Sequence, residues 1–143
     1  MNLNQITIKS KNVNRAVVFY KKLGLRLIVD SSPRYVRFEC PQGDSTFSIS
    51  QIEDDYDGGM NLSTVMYFEV GNLDEMYMNL RNQGIQFTSN PEEKAWLWRE
   101  AGLNDPDGHP LIIYSAGINR KNPPWRVAIK HACDENNPNH NHE

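Results

Sequence analysis

The sequence predicts an α+β fold in which two tandem βαβββ units form curved mixed sheets around a concave cavity. The first observation is an internal repeat, because residues 12–27 align with residues 72–87 at an offset of 60. The second is the apolar spacing i, i+3, i+4, i+7, which occurs in both copies and is typical of an amphipathic helix. The third is a six-residue run with strand character before each helix, at 5–10 and 65–70.

The first unit is predicted to span about 4–52. Its helix begins after Asn12, a residue type that suits an N-cap, and ends before Gly24, which suits the left-handed residue that follows a helix. Turn residues, among them Pro33 and Pro41, separate the segments with strand character. The predicted elements are a helix at 13–23 and strands at 4–10, 25–30, 34–39 and 45–51.

The second unit is predicted to span about 64–116, after an acidic linker at 53–59 that ends in glycines. Asn72 again suits an N-cap, and Glu75 is placed to complete a capping box. The segment Asp105-Pro106-Asp107-Gly108 has the residue types of a tight turn. The predicted elements are a helix at 73–83 and strands at 64–70, 85–88, 95–103 and 110–115.

Length and composition limit the class of protein. The chain has 143 residues, of which 38% are hydrophobic, so one domain or two half-domains with a shared core are expected. Its net charge of -3 disfavours nucleic acid as a partner, since phosphate backbones are bound by basic surfaces. No apolar run approaches the ~20 residues of a membrane span, so no membrane partner is expected. Cys40 and Cys133 are too few for a disulfide framework, which favours a reducing, cytoplasmic compartment.

The last part of the chain differs from the repeat. Residues 117–133 are predicted to form an arm, because Trp125, Val127 and Ile129 alternate and indicate packing against the body or a neighbouring subunit. Residues 134–143 are strongly polar and are predicted to be disordered.

The sequence also predicts a homodimer. Trp96 and Trp98 alternate on one predicted strand, and large aromatic residues are enriched at subunit contacts. Two open sheets also leave edges that need covering. The arm from about Pro123 to Lys130 is expected to lie on the partner or on its own sheet edge.

The order and spacing of these segments resemble the vicinal-oxygen-chelate superfamily, which includes glyoxalase, bleomycin-resistance proteins, fosfomycin-resistance enzymes and extradiol dioxygenases. In the first unit the resemblance rests on Asn12-Val13-x-x-Ala16-x-x-Phe19-Tyr20-x-x-x-Gly24-Leu25. In the second it rests on the run from Phe68 to Asp74, on Leu80-x-x-x-Gly84, and above all on the run from Asp105 to His109. The resemblance covers about 4–116.

The resemblance implies four inward strand positions where metal-binding members carry His or Glu. Here those positions fall on Gln5, Val65, Ile112 and Ser48, with Ser50 as the next inward residue. A catalytic divalent cation needs anionic or imidazole donors, so neither a metal nor another cofactor is expected. Three strand carboxylates could rebuild a site, although solvent-exposed side chains are the commoner explanation: Glu39, Glu69 and Glu100.

Histidine and cysteine are the other residue types that could serve as metal ligands or catalytic groups. His109 follows the predicted turn and is expected to point to solvent or to cap the turn, while the other histidines, at 131, 140 and 142, lie beyond the repeat near the C-terminus. Neither cysteine has a placed histidine partner, so nucleophilic catalysis is not indicated.

Strand alternation predicts which side chains line the cavity, because apolar residues claim the opposite face of each strand. A concave face on which polar and aromatic side chains converge is the usual form of a small-molecule site. The expected ligand is a small organic molecule with an anionic or hydrogen-bonding group near Arg37. The predicted ligand-binding residues are Gln5, Thr7, Arg37, Ser48, Ser50, Tyr67, Glu69, Trp98 and Tyr114.

Three functions are compatible with the sequence. The leading hypothesis is a metal-free small-molecule binding protein of the glyoxalase/bleomycin-resistance type. The alternative is a glyoxalase-like lyase or isomerase with a rearranged metal site or with acid–base groups such as Glu69 or Glu100. The third is a subunit or interaction module whose cavity is vestigial. The sequence alone leaves open whether the protein is an enzyme.

Overall fold

The structure is a computed structural model that describes residues 1–53 and 60–128. The predicted linker therefore lies largely outside the described residues, as do the end of the predicted arm and the whole predicted disordered tail. The first unit contains β1 (Gln5–Ser10), α1 (Val13–Lys22), β2 (Arg26–Ser31), β3 (Tyr35–Glu39) and β4 (Thr46–Gln51). The second contains β5 (Met66–Glu69), α2 (Leu73–Asn82), β6 (Glu92–Glu93), β7 (Arg99–Asn104) and β8 (Pro110–Ser115), followed by a short 3-10 helix, Gly117–Arg120.

The two units have the same topology. Sheet A has the strand order β1-β4-β3-β2, and sheet B has the equivalent order β5-β8-β7-β6. In each sheet the first strand runs parallel to the last, and the remaining pairs are antiparallel. The sheets are mixed, curved and open, which confirms the predicted fold class. None of the helices in the described ranges has the length and apolar character needed to cross a membrane.

Both helices begin and end as their sequences predict. The side chain of Asn12 accepts a hydrogen bond from the backbone N–H of Arg15, and Asn72 accepts one from the N–H of Glu75. After each helix the chain turns through a glycine with positive φ, +98° at Gly24 and +88° at Gly84. These shared helix caps show that the internal repeat extends from sequence to local structure.

One hydrophobic core runs through both units. In the first unit Tyr20 of α1 packs on the apolar face of sheet A, with its ring centroid 4.7 Å from that of Phe47. Phe47 in turn contacts Phe68 of β5 with a centroid separation of 6.1 Å. The alternating apolar residues of β3, β4 and β8 lie on this helix-side face, so the other face of each sheet is left for polar and aromatic side chains.

The region between α2 and β7 differs from the prediction. The predicted strand at 85–88 is absent, and only Phe87 makes an isolated bridge, to Leu103. The predicted strand at 95–103 begins at Arg99, because the preceding residues form a tight turn. In that turn the N–H of Leu97 bonds to the Lys94 carbonyl at 2.9 Å, and Leu97 has φ of +67°. Trp96 and Trp98 therefore lie on a hairpin turn and not in alternation along a strand.

The turn between β7 and β8 joins the two units. The carboxylate of Asp105 accepts a hydrogen bond from the buried Tyr20 hydroxyl at 2.7 Å and bonds from the N–H groups of Asp107 and His109. The Asp107 carboxylate accepts bonds from the Ser10 hydroxyl at 2.6 Å and from the Lys11 N–H at 2.9 Å. Burial, followed by the negative charge of Asp105, raises the pKa of Tyr20 far above its usual range, so this phenol stays protonated as a donor.

The expectation that His109 points to solvent was wrong. Its side chain is only 4% exposed, and Nε2 lies 2.7 Å from the backbone carbonyl of Lys9, to which it donates. The sequence places His109 after a turn, but not against the end of β1, so its role in the contact between units became visible only in three dimensions.

Candidate ligand-binding site

The face of sheet A opposite α1, here called open face A, carries polar side chains on three neighbouring strands. The strand register places Thr7 of β1 and Arg37 of β3 on either side of Ser48 of β4. In the next row Lys9 and Tyr35 flank Ser50 in the same way. The alternation of apolar and polar residues along each strand produces this arrangement, as predicted.

A chain of hydrogen bonds connects the central residues of open face A. The Arg37 Nε donates to the Tyr35 hydroxyl at 3.0 Å, and that hydroxyl donates to the Ser48 Oγ at 2.7 Å. From the other side the Gln5 Nε2 donates to the same Ser48 Oγ at 2.8 Å and lies 3.2 Å from the Thr7 Oγ1. Ser48 is fully buried beneath these side chains. Four of the predicted site residues on this face therefore form one connected network.

Tyr35 belongs to this network, although it was not among the predicted ligand-binding residues. The hydrogen bond with Ser48, and then the neighbouring Arg37 guanidinium, lower the pKa of the Tyr35 phenol. The guanidinium carbon of Arg37 also lies 5.6 Å from the centre of the Tyr35 ring. The spacing Tyr35-x-Arg37 on one strand face was the available signal, since i and i+2 residues share a face.

The corresponding face of sheet B, open face B, is aromatic. The rings of Trp98 and Tyr114 stack with a centroid separation of 4.6 Å, and Tyr67 contacts both rings edge-on at 5.8 and 5.6 Å. Burial is the main cause of the raised pKa of Tyr114, and the negative charge of Glu69 adds to it. Tyr67 remains about half exposed, so the cluster offers an aromatic surface to solvent.

Two carboxylates border the aromatic cluster. Glu69 forms a long ion pair with Arg120, with 3.9 Å between the nearest nitrogen and oxygen. Glu100 is only 5% exposed and accepts a hydrogen bond from the Trp96 indole N–H at 2.5 Å. The indole of Trp98 donates to the Asn119 carbonyl at 3.3 Å, which fixes the hairpin turn against the 3-10 helix. The turn thus brings both tryptophans onto open face B despite the missing strand.

The structure divides the predicted site between two faces. Gln5, Thr7, Arg37, Ser48 and Ser50 lie on open face A. The other four predicted residues, Tyr67, Glu69, Trp98 and Tyr114, lie on or beside open face B. Within residues 1–53 and 60–128, no hydrogen bond, ion pair or aromatic contact joins the two faces. The sequence could assign each residue to a face but not the two faces to one cavity.

A cavity of about 930 Å³ lies at a different place, between the first strands of the two sheets. It shares Gln5, Tyr67 and Glu69 with the predicted site, but its wall also includes apolar helix-side residues such as Phe47, Met66 and Phe68. Arg37 and the Trp98–Tyr114 stack are not part of its wall. Size alone therefore points to this groove, whereas polar chemistry points to the open faces.

The residues at the metal-ligand positions do not fit a divalent cation. Gln5 and Ser48 use their polar atoms to bond to each other, and Val65 and Ile112 have no donor atom. No group of three or more His, Cys, Asp or Glu side chains in the described part of the chain is arranged to hold a metal ion. All three strand carboxylates considered as substitutes make other contacts: Glu39 pairs with Arg26 at 3.1 Å, Glu100 bonds to Trp96, and Glu69 pairs with Arg120 at 3.9 Å.

Comparisons with known proteins agree with this fold. TioX from Micromonospora sp. ML1 is 18% identical, with a TM-score of 0.69, and the match covers 81% of this chain and 99% of that one. A glyoxalase/bleomycin resistance protein/dioxygenase from Nocardioides is 21% identical, with a TM-score of 0.70 and 90% coverage of both chains. Lactoylglutathione lyase from Agrobacterium tumefaciens is 12% identical, with a TM-score of 0.63 and coverage of 80% and 92%.

At such low identities these structures show the fold alone. The comparison with curated proteins gives no match. The sequence profile of the Glyoxalase/Bleomycin resistance protein/Dioxygenase superfamily, however, matches residues 2–113, which include both units and all nine predicted site residues except Tyr114. The chain therefore belongs to the glyoxalase/bleomycin resistance protein/dioxygenase superfamily.

Proposed function

We propose that this chain is a metal-free protein that binds a small organic molecule on the open faces of its sheets. The observation that carries the proposal is Arg37. Its Nε is held by the Tyr35 hydroxyl, and no carboxylate in the described ranges lies within ion-pair distance of its guanidinium. A positioned cation without a protein counterion, beside buried hydrogen-bonding groups, suits a ligand with an anionic group.

The aromatic cluster indicates the rest of the ligand. The exposed edge of Tyr67 and the Trp98–Tyr114 stack form an apolar, polarisable surface on which a planar ring can stack. Such a surface combined with a fixed cation favours an aromatic acid or a drug-like organic anion. Solved structures with this fold include one named as a glyoxalase/bleomycin resistance protein/dioxygenase and one named as a lactoylglutathione lyase, so the fold alone does not decide between binding and catalysis.

We further propose that two copies of the chain form the complete site. In the described ranges no hydrogen bond, ion pair or aromatic contact joins the two open faces of one chain, but their charges are complementary. On open face A, Lys9 and Arg37 have no ion-pair partner in the part of the chain that the structure describes, because Glu39 of that face is paired with Arg26. Open face B carries Glu100 and also Glu69, which forms only a long ion pair with Arg120. Face A of one copy can therefore oppose face B of another. Light scattering at micromolar concentration should give twice the 16.5 kDa chain mass, and a stable monomer would contradict the dimer.

Tryptophan fluorescence tests the binding proposal directly. Aromatic carboxylates and sulfonates titrated into the full chain should quench the fluorescence, because Trp98 lies in the proposed site. The quenching should be largely lost in Trp98→Phe, which removes the indole of the proposed site. If no compound in a broad panel binds, the vestigial interaction module becomes the better hypothesis.

The metal-free state has its own test. Elemental mass spectrometry of untagged protein should find well under one equivalent of zinc, nickel, manganese or iron, because the ligand positions lack suitable donors. A matched variant that ends after Cys133 removes the histidines of the polar tail as a source of adventitious metal. Stoichiometric metal in that variant would contradict the proposal and favour the enzyme.

The second candidate function is a glyoxalase-like lyase or isomerase that uses acid–base groups. The observation that favours it is Glu100, a buried carboxylate on open face B beside Tyr114. A buried carboxylate whose side-chain partner is one indole N–H is placed to accept a proton from a bound ligand. Chemical conversion of a bound compound that is abolished by Glu100→Gln, without loss of quenching, would favour this candidate.

A further inference from the structure

The repeat creates two equivalent contact regions between the units, and side-chain hydrogen bonds close only one of them in the described part of the chain. At the closed place the β7–β8 turn of the second unit binds the end of β1 and the helix α1. The β3–β4 turn of the first unit has the matching backbone bond, since the Cys40 N–H donates to the Ser45 carbonyl as the Asp105 N–H does to that of His109. Because the two units have the same topology, this turn faces the end of β5 and the helix α2.

The second place lacks the carboxylate–hydroxyl pairs that close the first. Asp105 corresponds to Cys40, and its partner Tyr20 corresponds to Leu80 at the offset of 60. At the same offset Ser10, which binds Asp107, corresponds to Val70. The carboxylate and its hydroxyl donors are thus replaced by apolar groups and a thiol, whose pKa is raised by burial.

An apolar groove occupies this second place. Its volume is about 930 Å³, and its wall includes Leu23, Phe47, Phe68, Val70 and Met76 together with the Cys40 turn. It runs beside β1 and β5, which are edge strands of their sheets. An open apolar groove bordered by two sheet edges is a typical docking surface for a chain segment.

The described part of the C-terminal arm is a matching apolar segment. Trp125 and Val127 are 57% and 81% exposed, so both offer most of their apolar surface to a partner. The arm leaves the body at Arg120, which is itself part of the groove wall. Residues 117–128 contain basic but no acidic side chains, whereas Glu69 is the carboxylate of the groove wall. The apolar side chains of the arm therefore match the apolar groove wall, and the basic Arg126 suits Glu69, whose ion pair with Arg120 is long, at 3.9 Å.

We propose that residues 123–128 of one copy dock in this groove on a second copy, with Trp125 as the anchor. The inference rests on the homodimer proposed above. A second copy is favoured over the same chain because the arm lies outside its own groove in the structure. The adjacent residues Pro123 and Pro124 restrict the segment before docking, which lowers the conformational entropy lost on binding.

Fluorine NMR of the full chain labelled with 5-fluorotryptophan tests this arrangement. The signal of Trp125, assigned by its absence in Trp125→Phe, should show almost no H₂O/D₂O shift in the dimer because the ring is buried. In Met76→Glu, which places a charge in the groove, the solvent shift of Trp125 should return. Met78→Glu is the matched control on the exposed side of the same helix and should leave Trp125 protected.

Mixing identifies which copy supplies the groove. Labelled Met76→Glu chains mixed with excess unlabelled wild-type chains should regain a protected Trp125, because their arms enter intact grooves of the partner. Continued exposure in the mixture, with protection in the wild type, would overturn the inference in favour of docking in the arm's own chain. Exposure of Trp125 in a wild-type dimer would overturn docking altogether, whereas a monomer would refute the dimer itself.

A second variant distinguishes loss of docking from misfolding of Met76→Glu. Trp125→Ala changes only an exposed side chain of the arm, so folding of the body should be unaffected. Loss of a tryptophan anchor typically weakens an interface by about 30-fold or more, and the dimer dissociation constant should rise by that factor. An unchanged dissociation constant would show that Trp125 is not an interface residue.

Discussion

Replacing Asp105 with alanine is expected to lower the free energy of unfolding by about 3–5 kcal/mol. The substitution leaves the buried Tyr20 hydroxyl and the N–H groups of Asp107 and His109 without their acceptor. Each such buried donor costs about 1–3 kcal/mol when it is left unpaired. Urea denaturation followed by circular dichroism measures the change, and the slope of the transition shows whether the two units still unfold together.

Asp74→Ala is the matched control for the Asp105 variant. Asp74 is also a hydrogen-bond acceptor, for two bonds from the Arg99 side chain at 2.7 and 3.0 Å, but its side chain is largely exposed. Water replaces the lost partner at such a position, so the destabilisation should be much smaller. If the two variants lose equal amounts of unfolding free energy, the contact between the units contributes little to stability. Tyr20→Phe should reproduce part of the Asp105 effect, whereas Tyr77→Phe removes only an exposed bond to Asn90.

Arg37→Ala is expected to weaken binding of an aromatic anion by about 1.5–3 kcal/mol, or roughly 10–150-fold in the dissociation constant. The variant removes the cation and leaves the Tyr35–Ser48–Gln5 bonds in place. Fluorescence titration of wild type and variant with the same ligand gives the ratio. Binding of a neutral analogue of the ligand should change far less, because it lacks the group that Arg37 recognises.

Arg26→Ala is the control for the loss of a positive charge that lies outside the proposed site. Arg26 lies on sheet A as well, but its guanidinium is paired with Glu39 at 3.1 Å. Arg26→Ala changes the net charge of the chain by the same amount as Arg37→Ala but removes a cation that is already paired, so binding should be nearly unchanged. If both variants weaken binding equally, long-range attraction explains the effect. If neither does, Arg37 is not in the site.

The repeated parts of the fold were predictable because local patterns determine them. The Asn12 and Asn72 caps and the apolar stripes predicted both helices to within a residue. The predicted strand at 85–88 was wrong because its apolar spacing satisfied a strand while only Phe87 found a pairing partner. The start of β7 was also predicted too early, since a Leu with positive φ at position 97 is unusual and gives no signal in the sequence.

Site residues were predictable up to the point where the units have to be placed relative to each other. Alternation assigned Arg37, Ser48 and Tyr67 to the polar side of their strands, and the structure places them there. It could not show that open faces A and B make no contact within one chain. The burial of His109 was missed for the same reason, since its partner is the carbonyl of Lys9, 100 residues away.

The closed contact between the units also has a consequence for the order of folding. The bond between Ser10 and Asp107 joins positions 97 residues apart, whereas the strand pairs β2–β3 and β7–β8 are formed by neighbours in the chain. Local hairpins form within microseconds, and contacts between distant residues must wait for the closure of a long loop. The two units are therefore expected to dock after the transition state for folding. Loss of the carboxylate bonds should shorten the lifetime of the native state while leaving its rate of formation almost unchanged.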